Sequence, residues 1–161
     1  MAERSRGVTM TDGDLIPDMD VTAVDGSVLS LRSFAGRPLV LFIYPKDDTA
    51  GCTREAIEFS TSLPRFAAAG AAVLGLSKDS PAKHAKFAAK HDLSVPLASD
   101  EEGRVIVALG SWGEKTLYGR KYMGIDRSTF LFDREGRLVR VWRKVRVPGH
   151  VEEVLAAVEA L

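Results

Sequence analysis

Residues 37–44, RPLVLFIY, form a continuous apolar run just long enough for a strand buried on both faces, as at the centre of a parallel or mixed sheet. Pro45 ends that strand. After the polar turn KDDTAG, apolar residues recur at Ala56, Phe59, Leu63 and Phe66, a spacing of three and four that predicts a helix from about Cys52 to Ala69. Pro64 within this span predicts a kink or an interruption, because proline removes a helical donor, and Gly70 marks the end. Residues 71–76 read as a second buried strand. Ser80 and Pro81 then open a helix that reaches about His91, with serine as the cap and proline at the first position, where a missing N–H costs nothing. Residues 93–98 are a short extended piece, and Asp100 is the expected cap of a helix to about Leu109.

At the front of the chain, residues 21–31, VTAVDGSVLSL, place Asp25 and Gly26 between two alternating segments, the pattern of a tight β-hairpin. Towards the other end, Ser128–Phe132 and Leu138–Lys144 are strand-like and joined by DREG, whose Gly136 suits a hairpin. Val151, Val154, Leu155, Val158 and Leu161 mark one face of a closing helix. A parallel crossover followed by an antiparallel pair and a terminal helix is the layout of the thioredoxin fold, so an α/β architecture with a mixed central sheet is expected. Residues 1–10 are polar and aperiodic and are expected as a flexible tail, with residues 11–161 as a single domain.

Composition narrows the function classes. A chain of 161 residues is long enough to bury roughly 70% of its unfolded surface without a staple. Lys plus Arg equals Asp plus Glu at 22 each, which argues against a general polyanion-binding surface. The most basic stretch, Arg137 to Arg146, is interleaved with apolar residues and suits a strand, so nucleic acid is not an expected partner. No apolar run reaches the roughly 18 residues of a membrane span, and MAERSRGVTM lacks the apolar core of a secretory signal. A cytoplasmic location without a membrane is the expectation. No Gly-x-x-x-x-Gly-Lys or Gly-x-Gly-x-x-Gly pattern points to a nucleotide. His84, His91 and His150 read as solvated histidines, and neither a metal nor another cofactor is expected.

The one cysteine, Cys52, lies in the stretch YPKDDTAGCTREA. An internal disulfide is therefore impossible. Placed in the first turn of a helix that follows a buried strand, its sulfur faces unpaired N–H groups and the positive end of the helix dipole, which favour the thiolate, the form that attacks. A lone cysteine is often only a small buried hydrophobe. Its flanks, Gly51 and Thr53, are small or polar and favour the chemical role.

Pro45, Thr49 and Cys52 carry the spacing Pro-x-x-x-Thr-x-x-Cys, and in this the chain resembles the peroxiredoxins, above all the peroxiredoxin Q or bacterioferritin comigratory protein group. The segments GDLIPDM, SKDSPAKHAKFAAKHDL, SWGEKTLYGRKYMGIDRSTFLFDREG and VRVPGHVEEVL agree with that resemblance, which covers nearly everything from about Gly13 onward. It implies a thiol peroxidase for hydrogen peroxide and small organic hydroperoxides. The residue types suit this reaction: a thiolate attacks one oxygen while the other leaves with growing negative charge, so donors and a cation lower the barrier. Thr49 supplies a hydroxyl, although a turn threonine also bonds its own backbone. N–H groups near Gly51 and Cys52 add donors, and Pro45 shields the thiolate or simply ends its strand.

Arg127, just before STFLF, stands where the resemblance implies the arginine that contacts thiolate and peroxide; guanidinium offers a permanent charge and a fork of donors. Glu55 is implied to orient that arginine, though a carboxylate early in a helix is stabilising in any case. Tyr44 and Trp112 either wall the pocket or pack. Many relatives carry a resolving cysteine five positions on, at Ile57 here, or on the following helix. Neither is present, which implies a one-cysteine cycle: Cys52 becomes a sulfenic acid and is reduced by an outside thiol, such as thioredoxin, glutaredoxin with glutathione, or another low-molecular-weight thiol. The chain is expected as a monomer or a homodimer. A general thiol–disulfide oxidoreductase and a non-catalytic chaperone or binding module on the same fold are the alternatives.

Overall fold

The alternation around Asp25 and Gly26 folds as expected: β1 (Asp20–Ala23) pairs antiparallel with β2 (Val28–Ser30), Thr22 opposite Val28, and Gly26 takes a φ of +89° in the turn. This is a computed structural model, and it describes residues 10–161. The expected flexible tail lies outside the described residues except for Met10, which packs against the core. A 3₁₀ turn at Leu31–Phe34 leads into β3 (Leu39–Ile43), whose five residues are all buried. Then follow α1 (Ala50–Ala68), β4 (Ala72–Ser77), α2 (Pro81–His91), β5 (Leu97–Ser99) and the short α3 (Arg104–Ala108). A two-stranded ribbon, β6 (Trp112–Leu117) and β7 (Arg120–Ile125), precedes β8 (Ser128–Phe132), β9 (Leu138–Trp142) and α4 (His150–Glu159).

Seven strands make one mixed sheet in the order β2-β1-β5-β4-β3-β8-β9. Strands β3, β4 and β5 run parallel, and β8 closes antiparallel on β3 with Ser128 opposite Ile43. Alternation along β3 divides the core. Val40 and Phe42 face α1 and α4 through Ala56, Phe59, Phe66, Val151, Val154 and Val158. Leu39, Leu41 and Ile43 face Val105, Ile106, Phe130 and Phe132. On the α1 side the Phe42 and Phe59 rings stack 4.3 Å apart. Phe42 leans over β4 at Gly75, where a Cβ would stand 2.6 Å from its Cζ and 2.9 Å from Leu97 Cδ2, so this strand position admits only glycine without repacking.

Three expectations need correction. Pro64 does not interrupt α1, which runs through it. The carbonyl its missing N–H would have served is that of Ser60, and the Ser94 hydroxyl donates to that oxygen at 3.2 Å. Asp100 does not directly begin the next helix: a turn intervenes and Gly103 is the residue ahead of α3, yet Asp100 Oδ2 accepts from the Ile106 N–H at 2.8 Å and so still caps its first turn. The ribbon β6–β7 was not expected as strands, because its residues are mostly exposed and do not alternate in polarity. Its one legible signal is Tyr118-Gly119, both with positive φ (52° and 76°) in a two-residue turn.

Candidate active site

The site is built where β3 ends and α1 begins. Six residues, 44–49, carry the chain from one to the other, with Asp48 at a φ of +63° and Thr49 extended ahead of the helix. Thr49 Oγ1 donates to the Lys46 carbonyl at 2.9 Å, the backbone bond anticipated for a turn threonine, and the hydroxyl oxygen keeps its acceptor capacity. The bond from Thr53 N–H to the Thr49 carbonyl, 2.8 Å, is the first of α1. The N–H groups of Ala50, Gly51 and Cys52 therefore lie ahead of the helical ladder, at the positive end of its dipole.

Cys52 is the third residue of α1 and 1% exposed, within the core cluster that includes Phe42, Tyr44 and Ala56. Its sulfur is nonetheless in polar contact. Arg127, 75 positions away and one residue ahead of β8, donates through Nη2 to Cys52 Sγ at 3.3 Å and through Nη1 to Glu55 Oε1 at 2.7 Å. Gly51 explains how the guanidinium comes so close: a Cβ there would be 3.1 Å from Arg127 Nη2. The Arg127 carbonyl accepts from Val145 N–H at 3.0 Å, which ties the residue to the segment following β9.

Glu55, read from sequence as a partner that orients the arginine or as a carboxylate that stabilises the helix start, is completely buried one turn beyond Cys52. An ion pair at 2.7 Å ordinarily holds a carboxyl below its usual range. Here burial outweighs Arg127 and pushes the Glu55 pKa up to about 7. The second oxygen, Oε2, has no hydrogen-bond partner, which agrees with that direction. Burial works against the Arg127 charge as well, but Glu55 and Cys52 more than offset it and raise the guanidinium pKa above the ordinary arginine value.

A cleft of about 640 Å³ opens beside this cluster, lined by Pro45, Trp112, Lys115, Gly124, Arg127 and Lys144 among others. Pro45 and Trp112 thus stand at the site, Trp112 with Lys78 Nζ 4.6 Å over its ring. Tyr44 stands behind the loop instead, stacked with Phe42, and its hydroxyl donates to Asp47 Oδ1 at 2.6 Å. A larger cavity, about 820 Å³ between α1, α4 and the β8–β9 turn, is lined by no cysteine, serine, threonine, lysine or histidine.

Two of the three histidines, His84 and His150, are not the solvated residues expected, and His91 is half-buried. His84 is completely buried, 2.7 Å from Asp47 Oδ2 through Nδ1 and 2.8 Å from the Ala98 carbonyl through Nε2. His91 and Lys90 both bond Asp48. Through these contacts α2 braces the loop that carries Pro45 and Thr49. The available signal was the spacing of His84, Phe87 and His91, which puts them on one helix face. His150, buried against Trp142 and Phe59, bonds Thr129 Oγ1 at 2.8 Å, and burial lowers its pKa to about 4. Among the described residues no group of three or more His, Cys, Asp or Glu side chains is placed to hold a metal. No helix among them is long and apolar enough to cross a membrane.

The AhpC/TSA family matches residues 13–141. Peroxiredoxin Bcp of Bacillus subtilis is 44% identical over 148 residues, covering 92% of this chain and 94% of that protein. Peroxiredoxin Bcp of Xanthomonas campestris is 45% identical over 143 residues, 89% of each chain. Among solved structures, Xanthomonas campestris peroxiredoxin Q superposes with a TM-score of 0.87 at 44% identity, covering 93% of this chain and 98% of that one. The bacterioferritin comigratory protein of the same organism, studied for its alkyl peroxide reduction, superposes with a TM-score of 0.86 at 43% identity over 92% of this chain and 98% of that one.

Proposed function

Because the chain belongs to the AhpC/TSA family, among the Bcp and peroxiredoxin Q members, and is a thiol-dependent peroxidase on a thioredoxin-like fold, we propose that Cys52 is its peroxidatic residue and Arg127 its activating cation. One observation carries this reading: a guanidinium with one arm on Cys52 Sγ and the other on a buried carboxyl, beside an open cleft. In the proposed cycle the Cys52 thiolate attacks the terminal oxygen of ROOH, the S–O bond forms, the O–O bond breaks and RO⁻ leaves to be protonated. Arg127 and the N–H groups of Ala50, Gly51 and Cys52 oppose the growing negative charge, Thr49 holds the peroxide through its hydroxyl, and Pro45 limits water at the sulfur. Glu55 orients Arg127.

Substrates are hydrogen peroxide and small organic hydroperoxides. The alkyl peroxide activity of the Xanthomonas campestris relative supports the second group. The chain has no second cysteine, so its sulfenic acid condenses with an external thiol, giving a mixed disulfide and water, and a second thiol equivalent releases reduced Cys52. Thioredoxin, glutaredoxin with glutathione, and a low-molecular-weight thiol are the candidate reductants. A Cys52–Cys52 disulfide between copies is disfavoured by the 1% exposure of the residue. We assign the work to residues 11–161 as one unit, monomeric or homodimeric, in the cytoplasm, where such thiols keep cysteines reduced.

The test is the rate at which the reduced protein consumes hydrogen peroxide, read with intact mass and sulfenic-acid trapping. A rate orders of magnitude above that of free cysteine, with one oxygen gained at Cys52 and all turnover lost in Cys52→Ser, is the expected result. An active Cys52→Ser protein would refute the assignment.

A further inference from the structure

Cys52 and Glu55 lie one helical turn apart and share a single cation. When Cys52 is a thiolate, an ionised Glu55 would leave two buried anions on one guanidinium, with Glu55 Oε2 lacking any donor. When Cys52 is a sulfenic acid, its charge is gone and Arg127 has Glu55 as its one anionic partner in this pair. The arrangement therefore disfavours an ionised Glu55 in the reduced state and favours it in the oxidised state.

We propose that Glu55 is a redox-linked proton carrier: it holds a proton on its unpartnered oxygen while Cys52 is a thiolate and gives that proton up when Cys52 is oxidised. This rests on the peroxidase reading above and extends it from charge placement to proton balance. Thiolate, protonated Glu55 and ROOH become sulfenic acid, ionised Glu55 and ROH. Sulfur loses two electrons to the O–O bond, the sulfenic hydroxyl keeps the peroxide's own hydrogen, and the proton taken up by RO⁻ is matched by the one released from Glu55. No net proton is drawn from solvent. In the reductive half, one external thiol condenses with the sulfenic acid and releases water. The proton of the second thiol is balanced by reprotonation of Glu55 as the thiolate re-forms.

The surrounding charges permit this. Arg127 acts on Glu55 from the head of β8 and Glu58 acts on it from α1, while Cys52 acts from the same helix on Arg127, the cation that the two groups share. From α4, His150 faces Arg127 and Glu58 and stays neutral at neutral pH because burial lowers its pKa to about 4. Burial sets the Glu55 pKa at about 7, within reach of either protonation state. Glu55 touches no reacting atom and acts through Arg127, so it is a positioning residue with a proton to carry.

The experiment is difference infrared spectroscopy of the full chain at pH 6.5 as one equivalent of hydrogen peroxide is added, with intact mass read on the same sample. The expected result is that the carbonyl stretch of a protonated carboxylic acid, present in the reduced protein, disappears as Cys52 gains one oxygen, and that Glu55→Gln, given peroxide until it too has gained the oxygen at whatever rate, shows no such band. A carboxylate that only orients Arg127 gives no band to lose. Oxygen gain with no loss of a carboxylic acid band, or the same loss in Glu55→Gln, overturns the proton-carrier proposal alone. Absence of oxygen gain in the wild-type protein overturns both it and the peroxidase reading. Should Glu55→Gln fail to fold, the band is sought in Cys52→Ser, whose neutral hydroxyl leaves Arg127 to an ionised Glu55, so that no carboxylic acid band is expected with or without peroxide; a band in that variant overturns the link between the Glu55 proton and the charge on Cys52.

Discussion

Arg127 is the residue on which the proposed chemistry turns, and its two arms set the expectation for its replacement. Arg127→Ala removes a charged donor from the sulfur and from the departing oxygen and should slow the peroxide step about 10²- to 10³-fold, in the range seen for loss of one oxyanion donor. Arg127→Lys should recover little, because an ammonium cannot span Cys52 and Glu55 with a planar fork. Stopped-flow oxidation checks both, and a fully active lysine variant would show that a point charge is enough. Two buried groups near it set opposite pH trends in stability. Native Glu55 keeps its proton up to about pH 7, whereas an ordinary glutamate loses it near 4.5, so between these values the folded state binds more protons and stability falls as pH rises, by at most ~1.4 kcal/mol per unit. Native His150 refuses a proton until about pH 4, whereas the unfolded residue takes one near 6.5, so stability rises with pH across that span. The trends oppose each other from about pH 4.5 to 6.5. Urea denaturation there should show stability rising with pH in Glu55→Gln and falling in His150→Asn; equal slopes in the two variants would contradict the assignment. At this scale Cys52, Thr49 and Pro45 were legible because they sit within eight consecutive positions. The burial of Glu55 and His84 was not, because a charged or polar side chain carries no apolar signal of its own.

Among the elements, α1 shows how a local rule is met by a distant residue. Pro64 stands exposed in its interior, and Ser94, from the segment before β5, supplies the donor that the Ser60 carbonyl lacks within the helix. Pro64→Ala restores the helical N–H at an exposed position and should stabilise the protein by about 1–3 kcal/mol, read as a higher urea midpoint with unchanged slope. A neutral or destabilising result would mean that the Ser94 bond and the rigidity of proline already offset the loss. Most elements were legible to within a few residues because β3, β4 and β8 are buried on both faces and the helices carry a clear apolar face. The ribbon β6–β7 was missed for the converse reason: its side chains face solvent or the cleft, so hydrophobicity does not select its period.

For the molecule as a whole, one thiol recessed in the core has a consequence that no single element holds. Peroxide in excess and without a reductant should convert Cys52 to sulfenic and then sulfinic acid, seen as one and then two added oxygens, with no disulfide-linked dimer on a non-reducing gel. A dominant disulfide dimer would mean that the first turn of α1 opens far enough to expose the sulfur. The sequence by itself determined the βαβ order, the N-terminal hairpin, the fold class, the Pro-Thr-Cys spacing and the lack of a resolving thiol, since each is written in neighbouring residues or in a count. Only the tertiary structure decided that Arg127 reaches Cys52 across 75 positions, that Glu55 is buried with one oxygen unpartnered, and that His84, Lys90 and His91 brace the active loop through Asp47 and Asp48. Those contacts arise from strand pairing and helix packing, which bring together residues far apart in the chain, and no local pattern of polarity records which charged side chains the core will enclose.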